Sequence, residues 1–228
     1  MMTSGTGPFE RIVRPIHWRY LGLLARCSNI PARHYVRWRL ASIWATGMKP
    51  GDRILEMCCG RGETTRVIAE VVGSRSKVDA IDTWPEAIEI ARRQSRLPYI
   101  EFLVRDASDT GFRSGTFDIV VIPHALHNME RDRWMTVLRE ARRVLREGGS
   151  VAIVEVDWPR SPLTRLYLCL WWWYWLPWRF QLRTRRDFLR RGVAVEVREA
   201  GFRNVTERRL YSGAVLVVKA EKLTAGAV

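Results

Sequence analysis

The chain has few of the features that would place it at a glance. Cysteine occurs four times in 228 residues, at Cys27, Cys58, Cys59 and Cys169. No pair has zinc-ligand spacing, and the four histidines do not join them at ligand intervals, so no metal site is expected. Adjacent Cys58 and Cys59 would not readily bridge each other, which points to a reducing compartment. The first residues, MMTSGTGPFERIVR, lack the continuous apolar stretch of a signal peptide, and nothing indicates secretion. The apolar run Leu166 to Leu176 has eleven residues, and as a helix it would span roughly 16 Å, about half a bilayer's hydrocarbon core. That excludes a transmembrane span there. No internal repeat and no low-complexity tract is present, and the composition shows no sign of disorder, collagen or a disulfide scaffold.

What is present is one domain's worth of chain, 47% apolar and 27% charged, with a formal charge of +14. The charge is unevenly placed. Residues 1–49 hold eight basic side chains and one acidic; residues 158–191 hold eight and one again; residues 50–157 hold sixteen basic and eighteen acidic. A neutral middle between two basic flanks implies an anionic partner surface, although 34 of the 38 bases are arginine and a general arginine preference would also raise the total. Six of the eleven tryptophans lie in 158–178. Tryptophan and tyrosine flanked by Arg165, Arg179 and Arg183 suit a membrane–water interface; they equally suit a buried helix or a substrate lid.

Short β-branched segments alternate with helical ones. Strands are expected at 53–57, 77–82, 100–104, 117–122, 151–156, 205–210 and 214–220. Helices are expected at 8–26, 31–46, 64–72, 85–95 and 131–146, then in a Trp-rich segment opened by Ser161–Pro162, and from a capping box at Thr184 and Asp187 to Gly201. This alternation argues for an α/β fold with a mostly parallel sheet and helices on both faces. Ligands in such sheets bind beyond the carboxyl ends of the strands.

The first of those ends reads Glu56-Met57-Cys58-Cys59-Gly60-Arg61-Gly62. A dinucleotide fingerprint needs a third glycine where Thr65 stands, which counts against a nicotinamide cofactor. An acid followed by small residues and glycines instead resembles the motif of class I S-adenosylmethionine-dependent methyltransferases, with Cys58 in place of the first glycine. The Cys-Cys-Gly form resembles the ubiquinone/menaquinone-biosynthesis C-methyltransferases and their phospholipid N-methyltransferase relatives. Asp82 ends the second strand, twenty-six residues after Glu56. Asp106 follows the third, FDIVV matches the family's fourth strand, and ARRVLREGG matches its helix end before strand five. The resemblance covers roughly residues 40–220.

The resemblance implies a Rossmann-like, mostly parallel seven-stranded sheet, with extra N-terminal helices and a Trp-rich helical insertion after strand five. Residues 1–48 would be basic N-terminal helices serving as lid or membrane contact. Residues 49–228 would be the methyltransferase domain, with 158–191 its insertion. The implied cofactor is S-adenosyl-L-methionine, leaving as S-adenosyl-L-homocysteine. Its site would comprise Glu56, Cys58, Gly60 and Gly62; Asp82 for the ribose hydroxyls; Thr83 or Trp84 beside the adenine; Asp106 and Ala107 near its amino group; and Pro123 after strand four.

Pro123-His124-Ala125-Leu126-His127-Asn128 would face the transferring methyl. His124 and His127 lie one helical turn apart, so either is a candidate base for a phenol or an amine; each also suits a purely structural place. The expected substrate is a lipophilic small molecule or lipid, quinol-type or a phospholipid headgroup. The expected place of work is the cytoplasm, peripherally at the cytoplasmic membrane face. Basic flanks with aromatics also fit an RNA methyltransferase, but a tryptophan run without interleaved polar residues is too apolar for a phosphate groove. A non-catalytic cofactor-binding protein shares the fold.

Overall fold

The computed structural model describes residues 32–157, 161, 162, 166, 192–213 and 215–223. The chain divides into two compact units, Met1–Trp38 and Arg39–Val228. The second holds every strand among the described residues. The expected helix at 8–26, the Trp-rich segment and the Thr184–Asp187 capping box lie outside the described residues.

In chain order the elements are α1 (Ala32–Thr46), β1 (Arg53–Met57), α2 (Glu63–Val72), β2 (Lys77–Asp82), α3 (Pro85–Gln94), β3 (Ile100–Val104), β4 (Phe117–Pro123), a 3-10 turn (Leu126–Asn128), α4 (Arg131–Val144), β5 (Leu145–Val156), α5 (Val193–Glu199), β6 (Arg203–Leu210), a second 3-10 turn (Tyr211–Gly213) and β7 (Val215–Glu221). Among the described residues the strands form one seven-stranded sheet in the order β3-β2-β1-β4-β5-β7-β6. The first five are parallel to one another; β7 runs antiparallel to both β5 and β6. The order reverses between β1 and β4, which puts the binding crevice at their carboxyl ends.

Central strands buried on both faces explain the near-continuous apolar runs that marked them in the sequence. Leu55, Met57, Val120, Ile122, Val151 and Ile153 face one side, where α4 supplies Trp134, Val137, Leu138 and Ala141 and α5 supplies Val193 and Val197. Ile54, Val78, Ile119 and Val121 face the other, against Ile43 of α1 and Val67, Ile68 and Val72 of α2. Each such side chain contributes roughly 1.5–3 kcal/mol by leaving water.

The strand boundary that departs furthest from expectation is the start of β5. Helix α4 stops at Val144, and β5 begins at Leu145 rather than at 151. Leu145 already pairs with Phe117, and a register shift then brings Ser150 opposite Ile119. The bulged stretch needs Gly149, because a Cβ there would lie 2.9 Å from the carbonyl oxygens of both Arg146 and Asp118. The two glycines that looked like a helix stop are the means by which β5 enters the sheet early.

Candidate active site at the strand ends

After β1 the chain turns through three residues of left-handed backbone: Cys58 (φ 62), Gly60 (φ 56) and Gly62 (φ 75). Cys58 thus occupies the first-glycine place with the glycine conformation, at a cost of about 1–2 kcal/mol for a residue with a Cβ. The two glycines differ in purpose. A Cβ on Gly62 would come within 3.0 Å of the Phe102 ring, so Gly62 packs the loop on the sheet, whereas a Cβ on Gly60 would meet nothing within 4 Å. Asp82, expected to accept from a ribose, here ties the loop together: its Oδ2 accepts from Gly60 N at 2.9 Å and its Oδ1 from Trp84 N at 3.0 Å. Thr83 is exposed and Trp84 half-buried, with the Arg61 guanidinium 5.9 Å from the Trp84 ring centre.

Glu56 lies directly opposite Val121 of β4 in the parallel register. It is fully buried, and neither carboxyl oxygen accepts a hydrogen bond from any described residue. Burial pushes its carboxyl up to about 8; the Thr65 hydroxyl, which lies beside it without hydrogen-bond alignment, and the Arg39 charge draw it part of the way back. Arg39 belongs to α1 and donates from Nη1 to the Thr64 hydroxyl. Burial also pushes the thiols of Cys58 and Cys59 up, so both stay neutral.

Beyond β4 the backbone kinks at His124 (φ 51), whose N–H donates to Val154 O at 2.7 Å. Burial drives the His124 imidazole down to about 3, against the pull of Glu155, so this ring is uncharged near neutrality. His127 is 5% exposed, and its Nδ1 lies 2.6 Å from Oε2 of Glu155. The other Glu155 oxygen accepts from Leu126 N at 2.7 Å. Burial alone would raise Glu155, yet the His127 charge and hydrogen bond, His124 and the Leu126 N–H together hold it below the usual carboxylate range. Glu155 is the residue that sequence reasoning missed. Its signal was an acid in the middle of the apolar strand VAIVEV.

Asp106 is engaged locally. Its Oδ1 accepts from Ser108 N and Oγ at 2.8 and 2.7 Å, and its Oδ2 pairs with Arg133 at 3.0 Å. Burial opposes these contacts, which nonetheless hold its carboxyl low. Ala107 and Pro123 are buried beside it and at the end of β4. No cluster of metal-ligating side chains occurs among the described residues. Two open surface grooves, one around Arg92 and Phe102 and one around Arg139 and Lys222, are lined by other residues than these. The chemistry-bearing side chains converge at the strand ends, and we place the site there.

A seven-stranded, mostly parallel sheet with a glycine turn after β1 is the fold that the resemblance to class I S-adenosylmethionine-dependent methyltransferases implies. Residues 54–149 match the family described as a methyltransferase domain. Among curated proteins the chain is 33% identical to the 2-phytyl-1,4-naphtoquinone methyltransferase of Synechococcus elongatus over 134 residues, 57% of each chain. It is 36% identical to the demethylmenaquinone methyltransferase of Lactococcus lactis over 129 residues, 55% of this chain and 50% of that one. The chain thus spans about half the length of the curated relatives it matches. Among solved structures, an S-adenosylmethionine-dependent methyltransferase from Aquifex aeolicus superposes with a TM-score of 0.62 at 18% identity, covering 81% of this chain and 89% of that one, which shows the shared fold.

The residues present fit the cofactor of that class. The buried, unbonded oxygens of Glu56 suit an ammonium group. The open space over Gly60 admits a ligand against the backbone.

Proposed function

We propose that this chain transfers a methyl group from S-adenosylmethionine to a lipophilic, quinol-type small molecule, and that His127 is the general base. The observation that carries this reading is the buried pair His127–Glu155, at 2.6 Å, at the carboxyl ends of β4 and β5. When bound, the cofactor supplies an electrophilic methyl group on a sulfonium. Glu56, the Gly60 backbone and the Asp82–Trp84 turn would hold it, with Thr83, Asp106 and Ala107 as candidates for its adenosine part and Cys58 and Pro123 as candidate lining residues. Glu155 fixes the imidazole through Nδ1 and stabilises the ring once it is charged. The other ring nitrogen, Nε2, then takes the proton from a ring hydroxyl, which makes the neighbouring ring carbon nucleophilic. His124 stays uncharged and shapes the wall. The names of the curated relatives, both quinone methyltransferases, support the substrate class.

In the same reading the protein works peripherally at the cytoplasmic membrane face. The basic residues of 1–49 and 158–191 meet anionic lipid, and the tryptophan run meets the interface. No described helix is long and apolar enough to cross a membrane.

The test is labelled methyl transfer to a demethylated quinol in mixed micelles, with phosphatidylethanolamine vesicles and RNA as competing acceptors. The quinol should be methylated, and His127→Ala should lower turnover by roughly a hundredfold while cofactor affinity changes little. Full turnover in both His127→Ala and His124→Ala would overturn the base assignment and favour an amine acceptor. Labelled RNA would overturn the substrate class. Cofactor binding with no acceptor labelled at all would leave a non-catalytic binding protein.

A further inference from the structure

At the amino ends of the strands, the opposite end of the sheet from His127 and Glu155, lies a surface groove of about 420 Å³. Four cations and one acid stand along it: Arg139, Arg142 and Arg143 from the last turns of α4, Lys222 just after β7, and Glu147. The register explains the meeting. β7 runs antiparallel to β5, so its last residue, Glu221, lies opposite Ser150 in the first half of β5, and Lys222 N then donates to Gly149 O at 2.9 Å. Arg139 is three residues before Arg142 and four before Arg143, and like charges at those helical spacings repel. The helix pays stability to gather them.

Two of the four charges are answered within the protein. Arg143 donates from Nε and Nη2 to Glu140 at 2.6 and 2.7 Å, and also to the Ser114 hydroxyl and the Phe112 carbonyl. Lys222 Nζ donates to Leu145 O at 2.7 Å and lies 3.4 Å from a Glu147 oxygen. The other two are surplus. Arg139 is exposed and makes no hydrogen bond or ion pair with any described residue. Arg142 is held by Nε alone, which donates to Gly201 O at 3.2 Å, and its terminal nitrogens donate to no described residue. Gly201 admits that side chain closely, since a Cβ there would lie 3.2 Å from Arg142 Nε. An acid that meets Arg142 therefore finds a fork already placed, and little side-chain freedom is lost on pairing.

We propose that this groove docks an acidic segment of a partner protein, with two of its carboxylates on Arg139 and Arg142. A guanidinium fork matches a carboxylate through two parallel hydrogen bonds. On a helix, residues three apart have Cβ atoms about 5–6 Å apart. Alternate side chains of an extended chain lie roughly 6.6 Å apart on one face, so acids at alternate positions meet both forks. Leu223 beside them offers apolar contact to the segment's stems. A flat lipid surface does not fill a groove, and no aromatic side chain stands along this one for nucleobases to stack on. Docking at the amino ends leaves the His127–Glu155 pair uncovered.

The test uses the full chain and a fluorescein-labelled hexaglutamate peptide, read by anisotropy at low salt. The wild type should bind it and should not bind hexaglutamine. Arg139→Gln/Arg142→Gln should weaken binding about tenfold and leave the far-ultraviolet circular dichroism unchanged. Arg139→Gln alone, which breaks no bond to a described residue, should lose about threefold. Arg179→Gln/Arg183→Gln removes the same charge from the basic segment 158–191 and should stay within about twofold of wild type. Equal losses in the two double variants would mean that the peptide reads net charge alone and would overturn the groove, as would no binding by the wild type. A hexauridine RNA, or phosphatidylglycerol vesicles, bound more tightly than the peptide and released in Arg139→Gln/Arg142→Gln would assign the groove to nucleic acid or lipid and overturn the protein partner.

Discussion

Two glutamates sit near the carboxyl ends of central strands, each fully buried, and their surroundings differ sharply. Glu155 on β5 gives one oxygen to the Leu126 N–H and the other to the His127 ring. Glu56 on β1 gives neither oxygen to any described residue. Burial acts on both in the same direction, and the partners decide the result: Glu155 is held below the usual carboxylate range, Glu56 is pushed up to about 8. A buried charge is tolerable when it is paired and hydrogen-bonded, and otherwise the group neutralises itself by taking a proton. Glu155 thus serves a neighbour in the protein. Glu56 suits a partner that arrives.

The largest effect should come from unbalancing the satisfied acid. Glu155→Gln keeps the shape and an acceptor for Leu126 but cannot neutralise a charged His127. Turnover should fall a hundredfold or more, with S-adenosylhomocysteine affinity within about twofold of wild type, as measured by initial rates and calorimetry. Glu155→Ala should in addition cost about 3–5 kcal/mol in chemical denaturation, because it strands a buried partner. Unchanged turnover in the glutamine variant would remove the catalytic meaning of the pair and leave only its structural one.

The unsatisfied acid should show itself in stability against pH. Its ordinary value is 4.5 and its folded value about 8, so the folded state holds the proton more tightly. The contribution is complete below the unfolded value and is lost as pH rises through the folded one. The full difference is on the order of 5 kcal/mol as an upper bound, at roughly 1.4 kcal/mol per pKa unit. In cofactor-free protein, Glu56→Gln should match wild type near about pH 5 and exceed it in Tm near about pH 8.5. A Tm gap that does not widen with pH would mean that Glu56 is ionised and partnered after all.

The smallest effect concerns the turn between Glu56 and Gly60. Cys58 keeps a glycine's backbone at φ 62. Cys58→Gly should therefore be more stable than Cys58→Ala by about 1 kcal/mol, since both lose the thiol and only alanine keeps the strain. Equal stabilities would mean that the left-handed turn relaxes at little cost.

Much of this was legible in the chain itself. The bounds expected for β1, β2 and β3 coincide with those observed, because short apolar β-branched runs between turn residues need no distant information to become strands. The turn after β1 was readable for the same local reason. The start of β5 was not. Arg142 to Arg146 continues a helical pattern, and only the pairing of Leu145 with Phe117 ends the helix early. Nor was the second use of Asp82 visible, since its hydrogen bond to Gly60 N spans twenty-two residues.

The sequence by itself determined the fold class: the alternation of strands and helices and the glycine turn after the first strand are local patterns. It could not rank its own carboxylates. RILEM and VAIVEV each show one acid within an apolar strand; the glycine turn marks the first, nothing nearby marks the second, and neither shows whether its carboxyl is partnered. What separates them is what the fold carries across the sheet. The turn after β4 sets His127 and the Leu126 N–H against Glu155, twenty-eight and twenty-nine residues away. Against Glu56, α1 and α2 set a guanidinium anchored on Thr64 and a hydroxyl that makes no hydrogen bond. A carboxyl's protonation and partners follow from its surroundings in space, and those exist only once the helices have packed on the sheet.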